Sequence, residues 1–277
     1  MLPDNPREIQ IADITIGGNR PMALIAGPCV LEKEELTLQI AQELKQICAQ
    51  LNVPLIFKAS FDKANRTSVS SYRGLEIEKG LEILSKVKQV TGLPLISDVH
   101  EVWQVDLVAP VLDVLQIPAL LSRQTDLIVA AAASGKAVHI KKGQFMAPQD
   151  MIYTLNKATS TGNHNILLGE RGTTFGYNNL VVDMRSLPIM RRLGYPVVFD
   201  ATHSVQLPSM SGGVSGGQRE WVSYLSRAAV AIGIDVLFWE VHPNPDQALC
   251  DGPNSLVLSQ LYPLLSQLVQ IDNLVKK

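Results

Sequence analysis

Eight short apolar segments, each with a polar or charged residue near its end, recur along the chain, and amphipathic helical patterns fill the intervals between them. The segments are MALIAGPC, PLIFKAS, PLISDVH, VLQIPAL, AVHIKKG, ILLGERG, PVVFDATH and VLFWEVH. This alternation predicts an α/β fold, a (β/α)8 TIM barrel, whose active site gathers at the carboxyl ends of the strands. The strand-end residues are therefore the first candidates for chemistry: Cys29, Lys58, Asp98, Gln116, Lys141, Arg171, His203 and Glu240.

The length of 277 residues, with 46% hydrophobic content, fits one such barrel, which usually needs roughly 250 residues. We expect a single domain over residues 1–277, with residues 1–20 as an amino-terminal extension. Within it, residues 7–17 alternate loosely and then meet Gly17 and Gly18. That pattern predicts a short β-hairpin, placed across the amino-terminal mouth of the barrel.

Long loops are expected after strands 2, 7 and 8. The loop between His203 and Trp221 contains four glycines and little apolar content to hold it in place. Because it leaves a strand on the presumed catalytic side, we predict a mobile lid.

The bulk properties restrict the partners of the chain. A net charge of −2 argues against a general affinity for nucleic acid or anionic lipid. Three cysteines cannot all pair within one chain, which favours a reducing compartment. No uninterrupted apolar run reaches the roughly 18 residues that a membrane span needs. We therefore expect a soluble, cytosolic protein.

Residues with metal-ligand chemistry converge when the barrel closes, because strand 8 then pairs with strand 1. Cys29 follows strand 1, His203 follows strand 7, Glu240 ends strand 8, and Asp251 lies in the next loop. A thiolate, an imidazole and two carboxylates suit a divalent transition metal such as Zn²⁺, Fe²⁺ or Mn²⁺. His242 competes with His203 as the imidazole ligand, and spacing alone does not separate them.

Residues 57–74, FKASFDKANRTSVSSYRG, form a loop built to hold anions. Its lysines and arginines stand among Ser, Thr and Asn donors, which together suit phosphate or carboxylate. Other strand ends add more positive charge, which predicts a substrate with several negative charges, more than one phosphate among them. The cations concerned are Lys58, Lys63, Arg66, Arg73, Arg123, Lys141, Lys142 and Arg171.

From Ala23 to the last helix the chain resembles the 3-deoxy-D-manno-octulosonate 8-phosphate synthases. The motifs that carry the resemblance are IAGPC (25–29), FKASFDKANRTS (57–68), SDVHE (97–101), QIPALLSRQTDL (116–127), KKGQF (141–145), ERGTTFGYNNLVVDMRSLPIM (170–190), DATHSVQLP (200–208) and the HP/CDGP loop (242–253). The resemblance implies the condensation of phosphoenolpyruvate with D-arabinose 5-phosphate and water. The products are the eight-carbon sugar acid phosphate and inorganic phosphate, in a cytoplasmic step of lipopolysaccharide biosynthesis.

The same resemblance implies roles for the anion-binding residues. Those expected to bind phosphoenolpyruvate are Lys58, Lys63, Gln116, Ala119, Lys141 and Arg171. Those expected to bind arabinose 5-phosphate are Asn65, Arg66, Thr67 and Arg123, with Thr67 where the family usually has Ser. Arg123 is expected to reach the sugar phosphate from a neighbouring subunit, which implies a homo-oligomer, and the resemblance to the family implies a homotetramer.

The family divides into metal-dependent members, with Cys after Gly-Pro, and metal-independent members, with Asn at the equivalent position. Cys29 therefore implies one divalent ion, with Zn, Fe, Mn and Co not distinguished, and the ligands carried over are Cys29, His203, Glu240 and Asp251. This choice selects His203 over His242. The candidates for proton handling are Asp98, His100 and Glu240, which the sequence does not rank, and Lys63 as the acid for the new alkoxide.

Three other functions compete with this interpretation. The 3-deoxy-arabino-heptulosonate 7-phosphate synthases share the barrel and phosphoenolpyruvate but take erythrose 4-phosphate, and they carry Lys-Pro-Arg-Thr-Ser where this chain has residues 63–67, KANRT. A Schiff-base aldolase could use Lys58 or Lys141, but it does not account for the four metal-ligand residues. A non-catalytic sugar-phosphate binding protein is the third alternative.

Overall fold

The computed structural model describes residues 5–211 and 214–276 and contains a closed barrel of eight parallel strands. Strand β1 pairs with β2 and β8, and β7 pairs with β6 and β8, which completes the ring. Every residue of these eight strands is buried, as expected where helices cover a parallel sheet. The strands are β1 (Ala23–Gly27), β2 (Leu55–Lys58), β3 (Leu95–Asp98), β4 (Val114–Ile117), β5 (Ala137–Lys141), β6 (Ile166–Glu170), β7 (Val197–Asp200) and β8 (Val236–His242).

One helix follows each strand, so the predicted (β/α)8 barrel is confirmed. Helix α1 buries Ile40, Leu44 and Cys48 on one face, in agreement with the apolar spacing of its sequence. Helices α2 and α7 end at Gly92 and Gly233, whose positive φ angles close the helix ends. The helices are α1 (Glu34–Gln50), α2 (Ile77–Thr91), α3 (Val102–Val108), α4 (Thr125–Ala133), α5 (Met151–Thr159), α6 (Ser186–Arg191), α7 (Val222–Ile232) and α8 (Leu261–Val275).

The amino-terminal hairpin closes one mouth of the barrel. Ile9–Ile11 pairs with Ile14–Ile16 in an antiparallel ladder. Its buried isoleucines join one apolar cluster with the first interior residues of the barrel strands, such as Ala23, Val114 and Val236. The predicted plug is therefore present, and the opposite mouth is left for the strand-end residues.

The glycine-rich loop after β7 contains a second antiparallel hairpin, formed by Gln206–Ser211 and Val214–Gly217. Residues 212–213 lie outside the described part of the chain. The sequence did not predict these strands, because the segment lacks the apolar alternation that marks most strands. The lid therefore has main-chain pairing of its own, and its mobility stays a prediction.

Smaller pairings complete the loops at this end. Thr173–Thr174 pairs with Leu180–Val181 after β6, and Leu256–Val257 adds to the end of β8. Within residues 5–211 and 214–276, no helix has the length and apolar character to cross a membrane.

Gly27 sets how closely β1 and β2 approach at the catalytic end. A Cβ on Gly27 would overlap the backbone carbonyl of Lys58, which belongs to the neighbouring strand and cannot swing aside. We expect Gly27→Ala to lower the free energy of unfolding by about 2 kcal/mol, measured by urea denaturation. Gly135→Ala should cost less, because the added methyl group meets open space, although alanine is strained at the φ of 75° that Gly135 has. Equal losses would contradict the overlap at Gly27.

Candidate active site

A pocket of about 300 Å³ opens at the carboxyl ends of the strands. A larger depression of about 790 Å³ beside helices α7 and α8 contains none of the predicted site residues. The predicted residues that line the strand-end pocket are Lys63, Asn65, Arg66, Thr67, Asp98, His100, Gln116, Ala119, Lys141, Arg171, His203 and Asp251. The pocket therefore combines cations, carboxylates and imidazoles, as the strand order predicted.

The four predicted metal ligands are buried and meet at one side of this pocket. His203 Nε2 lies 3.5 Å from both Glu240 Oε2 and Asp251 Oδ2, and Cys29 Sγ lies 3.5 Å from the same Asp251 oxygen. Glu240 Oε2 is buried and has no hydrogen-bond partner among the described residues. Asp251 has a φ of 46°, uncommon for a residue other than glycine. These donors fit a divalent transition metal in their chemistry and arrangement.

Cys250 is a neighbour of this cluster that the sequence did not single out. Its Sγ lies 2.8 Å from Cys29 Sγ and accepts a hydrogen bond of 3.0 Å from Arg66 Nη1. It also forms a possible metal-binding group with Cys29 and Asp251. Its position beside Asp251 in the CDGP motif was the one available signal.

The Cys29 thiol holds its proton when no metal ion is bound to it. Burial raises its pKa well above the usual range, and Cys250 and Glu240 add to this rise against the opposing charge of Lys63. A metal ligand must be a thiolate, so metal binding at Cys29 would release a proton.

Asp200 links two of the predicted site residues, His203 and Lys141, and was not itself predicted as a site residue. It accepts hydrogen bonds from His203 Nδ1 at 2.7 Å and from Lys141 Nζ at 2.6 Å, both on Oδ2. Burial opposes its negative charge, but His203 and Lys141 outweigh that effect and hold its pKa well below the usual range. Asp200 is therefore an ionised carboxylate beneath the pocket.

Lys58 and Lys63, both predicted to contact substrate, lie at different depths. Lys58 Nζ is fully buried, donates to Glu240 Oε1 at 2.6 Å and to the Cys29 carbonyl at 2.8 Å, and does not line the pocket. Lys63 lines the pocket, with Nζ 3.7 Å from Glu240 and 3.6 Å from Asp98. Burial disfavours the charge on Glu240, but Lys58 and then His203 outweigh it and lower the pKa of Glu240 to about 2.

Lys63 keeps its proton in this setting. Burial alone would lower the pKa of its ammonium, but the charges of Glu240 and Asp98, to which a Cys29 thiolate would add, outweigh burial and raise it well above the usual range. An ammonium group that faces the pocket can donate a proton to a developing oxyanion there.

Asp98 is the acceptor of a buried polar network. It receives hydrogen bonds from Ser60 Oγ at 2.6 Å and from Gln116 Nε2, whose Oε1 in turn accepts from His139 Nδ1 at 3.0 Å. Burial opposes its ionisation, but Lys63 and Lys58 outweigh it, so the pKa of Asp98 is strongly lowered. At neutral pH it can accept a proton or hydrogen bond but has none to donate.

His100 lines the pocket as a neutral imidazole. Burial lowers its pKa, despite the opposing charges of Asp98 and Asp62. Neutral His100 and ionised Asp98 are thus both available as proton acceptors, and the geometry does not choose between them.

The predicted phosphate cations differ in their surroundings. Arg171 is buried in the pocket wall, where Nη2 donates to Gln206 Oε1 at 2.8 Å and Nη1 has no partner within the described chain. Lys142 points elsewhere: its Nζ lies 3.0 Å from Thr173 Oγ1 and 3.5 Å from Glu170. Arg123 is exposed and does not line this pocket, so its contribution to a neighbouring subunit stays a prediction.

The loop after β2 and the hairpin after β7 meet over the pocket. Thr67 Oγ1 lies 3.2 Å from Ser209 Oγ, and Gln206 Nε2 donates to Asp251 Oδ1 at 3.4 Å. Gln206, Pro208 and Ser209 all line the pocket, although no role was predicted for them. The hairpin is thus positioned to close over a molecule held by the strand-2 loop.

Below the pocket, His139 makes stability depend on pH. Burial, followed by the charge of Lys141, lowers its pKa to about 3, whereas an unfolded histidine has a pKa near 6.5. The unfolded chain therefore binds the proton first, and this residue reduces stability as the pH falls from about 6.5 towards 3.

Between pH 7 and pH 5, we expect the free energy of unfolding to fall by about 2 kcal/mol less in His139→Gln than in the parent. Urea denaturation at both pH values, in the presence of chelator, measures this difference. Most carboxylates titrate below this window, so they affect both proteins alike. The same pH dependence in parent and variant would contradict a neutral, buried His139.

Comparisons with known proteins agree with this geometry. The sequence profile of the DAHP synthetase I family matches residues 5–277. A protein of Syntrophotalea carbinolica named 2-dehydro-3-deoxyphosphooctonate aldolase is 64% identical over 271 residues, which cover 98% of each chain. Proteins of the same name from Geotalea uraniireducens and Geobacter sulfurreducens are 62% and 61% identical over 270 residues, 98% of this chain and 99% of theirs. The chain therefore belongs to the DAHP synthetase I family and groups within it with the 2-dehydro-3-deoxyphosphooctonate aldolases.

Proposed function

We propose that the chain condenses phosphoenolpyruvate with D-arabinose 5-phosphate and water to give 3-deoxy-D-manno-octulosonate 8-phosphate and inorganic phosphate, in the biosynthesis of lipopolysaccharide. The observation that carries this proposal is one strand-end pocket that is lined both by Lys141 and Arg171 and by the strand-2 loop residues Asn65, Arg66 and Thr67. Two separate sets of donors on one pocket suit two phosphorylated substrates held side by side. The name shared by relatives at 61–64% identity supports the same reaction.

Phosphoenolpyruvate would lie against the wall of the pocket that the ends of β4, β5 and β6 form. Lys141 and Arg171 would hold its phosphate, since both reach the pocket from buried positions and Arg171 Nη1 is available to an anion. Gln116 and Ala119 would line this subsite. Lys63 would meet the carboxylate and the reacting end, with Lys58 supporting that side from below through Glu240.

Arabinose 5-phosphate would lie against the strand-2 loop, held by Asn65, Arg66 and Thr67. The Thr67 contact with Ser209 places the lid hairpin over this subsite. We propose that Arg123 completes the phosphate site of an adjacent subunit in a homotetramer, because it is exposed and lies outside the pocket of its own chain. Cytoplasmic residence agrees with three free thiols.

The reaction requires carbon 3 of phosphoenolpyruvate to attack the sugar aldehyde while water adds at carbon 2, after which carbon–oxygen cleavage releases phosphate. The cationic pocket brings together two anions that repel each other, so positioning is its main task. Lys63, which stays protonated, would protonate the new alkoxide. Asp98, His100 or Glu240 would accept the proton of the attacking water, since Asp98 and Glu240 are ionised and His100 is neutral.

Cys29, His203, Glu240 and Asp251 would hold one divalent ion. When bound, this ion would polarise the aldehyde or acidify the attacking water. The buried, unpartnered Glu240 Oε2 and the His203 Nε2 directed towards it support this site within the described residues.

The experiment that tests the proposal measures phosphate release from phosphoenolpyruvate with arabinose 5-phosphate or erythrose 4-phosphate, each with and without chelator. We expect turnover with arabinose 5-phosphate, loss of activity in chelator, and recovery when a divalent metal is added in excess. A preference for erythrose 4-phosphate would identify the chain as a heptulosonate synthase instead. Inactivation by borohydride only in the presence of substrate would indicate a Schiff-base mechanism.

A further inference from the structure

Asp200 occupies the end of β7, fully buried, between the candidate metal ligands and the phosphate side of the pocket. One of its oxygens, Oδ2, accepts from both His203 Nδ1 at 2.7 Å and Lys141 Nζ at 2.6 Å. We infer that Asp200 is a positioning residue shared by the metal ligand His203 and the phosphate-binding Lys141, so that one carboxylate sets the orientation of both. This inference rests on the proposed function and extends it to a residue that touches neither substrate.

The effect on His203 follows from the chemistry of imidazole. Asp200 also accepts the backbone N–H of His203 at 2.9 Å, so the residue is held at two points. A ring that donates from Nδ1 to a carboxylate leaves Nε2 as the metal-binding atom. Nε2 is the atom that lies 3.5 Å from Glu240 and Asp251. Without the carboxylate, the ring loses the acceptor that selects its tautomer and one of the contacts that restrain its rotation.

Asp200 also restricts the position of the Lys141 ammonium and compensates its charge. Its ammonium lies 4.1 Å from the centre of the Phe238 ring on one side and against Asp200 on another. These contacts restrict a side chain that is otherwise flexible and compensate its charge in a buried setting. Since Lys141 still lines the pocket, its Nζ is held where the phosphate of phosphoenolpyruvate would arrive.

The test uses the full chain stripped of metal and the variant Asp200→Asn. Co²⁺ binding is followed by visible absorption, which reports the ligand geometry, and phosphoenolpyruvate binding to the metal-free protein is followed by calorimetry. We expect Asp200→Asn to weaken Co²⁺ binding by about 10- to 100-fold, to change the Co²⁺ spectrum, and to weaken phosphoenolpyruvate binding by about 10-fold. Lys141→Met should weaken the binding of phosphoenolpyruvate much more than that of Co²⁺, because His203 keeps its partner.

Asp235→Asn is the matched control. Asp235 is an equally buried carboxylate, placed just before β8 at the opposite end of the barrel and paired with Arg191 at 3.1 Å. This variant should lose stability without a change in either affinity. A general loss of packing would instead affect Asp200→Asn and Asp235→Asn alike.

Affinities of Asp200→Asn for both ligands within threefold of the parent would overturn this inference and leave the proposed function intact. Failure of the parent itself to bind Co²⁺ would contradict the metal site and the inference together. If Asp200→Asn does not fold, Asp200→Glu keeps the charge but displaces it by one methylene, and it should still shift the Co²⁺ spectrum and both affinities. Unchanged values in that variant would likewise overturn the shared role.

Discussion

Cys29→Ala is expected to lose both the bound divalent metal and the activity. The variant removes the one thiolate from a donor set whose other members are an imidazole and two carboxylates. Loss of residues that merely support metal ligands costs 10–100-fold in affinity, so loss of a ligand should cost more than about 100-fold. Metal content of the purified protein and the rate of phosphate release measure the two effects, and we expect less than about 1% of parental turnover.

Cys48→Ala provides the control for this substitution. Cys48 is another buried cysteine, but it lies in helix α1 and packs in the apolar core. The same change of side chain should therefore cost some stability and leave metal content unchanged. Full activity of Cys29→Ala in the presence of chelator would contradict the metal assignment outright.

Cys29→Asn should be milder than Cys29→Ala. Asparagine at this position is typical of the metal-independent members that the resemblance implies, and its amide can hydrogen-bond where the thiol stood. We expect activity that is lower than in the parent but insensitive to chelator. Retained sensitivity to chelator would show that other side chains hold the metal without Cys29.

The fold could be predicted from the sequence because each barrel strand is a short, fully buried apolar run with a polar residue at or near its carboxyl end. The periodicity changes from strand to helix at each junction, and closure of the ring then follows from eight repeats. Closure of the ring also brings Cys29, His203, Glu240 and Asp251 together, although they are distant in sequence. The order of the strands around the barrel can thus be predicted from a single sequence.

Contacts between side chains on different strands could not be predicted in the same way. Asp200 was visible as the end of a strand, but nothing in the sequence indicates that it receives both His203 and Lys141. Cys250 meets Cys29 only because the loop after β8 turns back over the rim. The lid hairpin was missed because glycine-rich pairing leaves no apolar alternation to detect.

The depth of a side chain below the pocket could not be predicted from the sequence either. Lys58 and Lys63 are five residues apart in one basic segment, and both were expected to meet substrate. The structure buries Lys58 against Glu240 and leaves Lys63 in the pocket wall. The positions of the two lysines relative to the strand end, not their residue type, decide which of them a ligand can reach.

Lys58→Met is the second substitution with a large expected effect, this time on stability. The ammonium of Lys58 lies 2.6 Å from Glu240 Oε1, and neither side chain has any exposure. Removal of the cation leaves the carboxylate buried with the longer contacts to His203 Nε2, at 3.5 Å, and to Lys63 Nζ, at 3.7 Å. Breaking a buried pair from one side costs about 3–5 kcal/mol, so we expect a loss of that size in urea unfolding with chelator present.

A double-mutant cycle separates the cost of leaving the Glu240 charge unpaired from the cost of losing the Lys58 side chain. Lys58→Met with Glu240→Gln removes both charges and should regain about half of the loss, although it stays inactive because Glu240 is a candidate ligand. Lys79→Met is the control at the exposed pair with Glu82, which should cost less than about 1 kcal/mol. If Lys58→Met alone also costs less than 1 kcal/mol, Lys63 and His203 compensate the charge of Glu240 without Lys58. In excess metal the loss should shrink, since a bound cation at Glu240 supplies the missing charge.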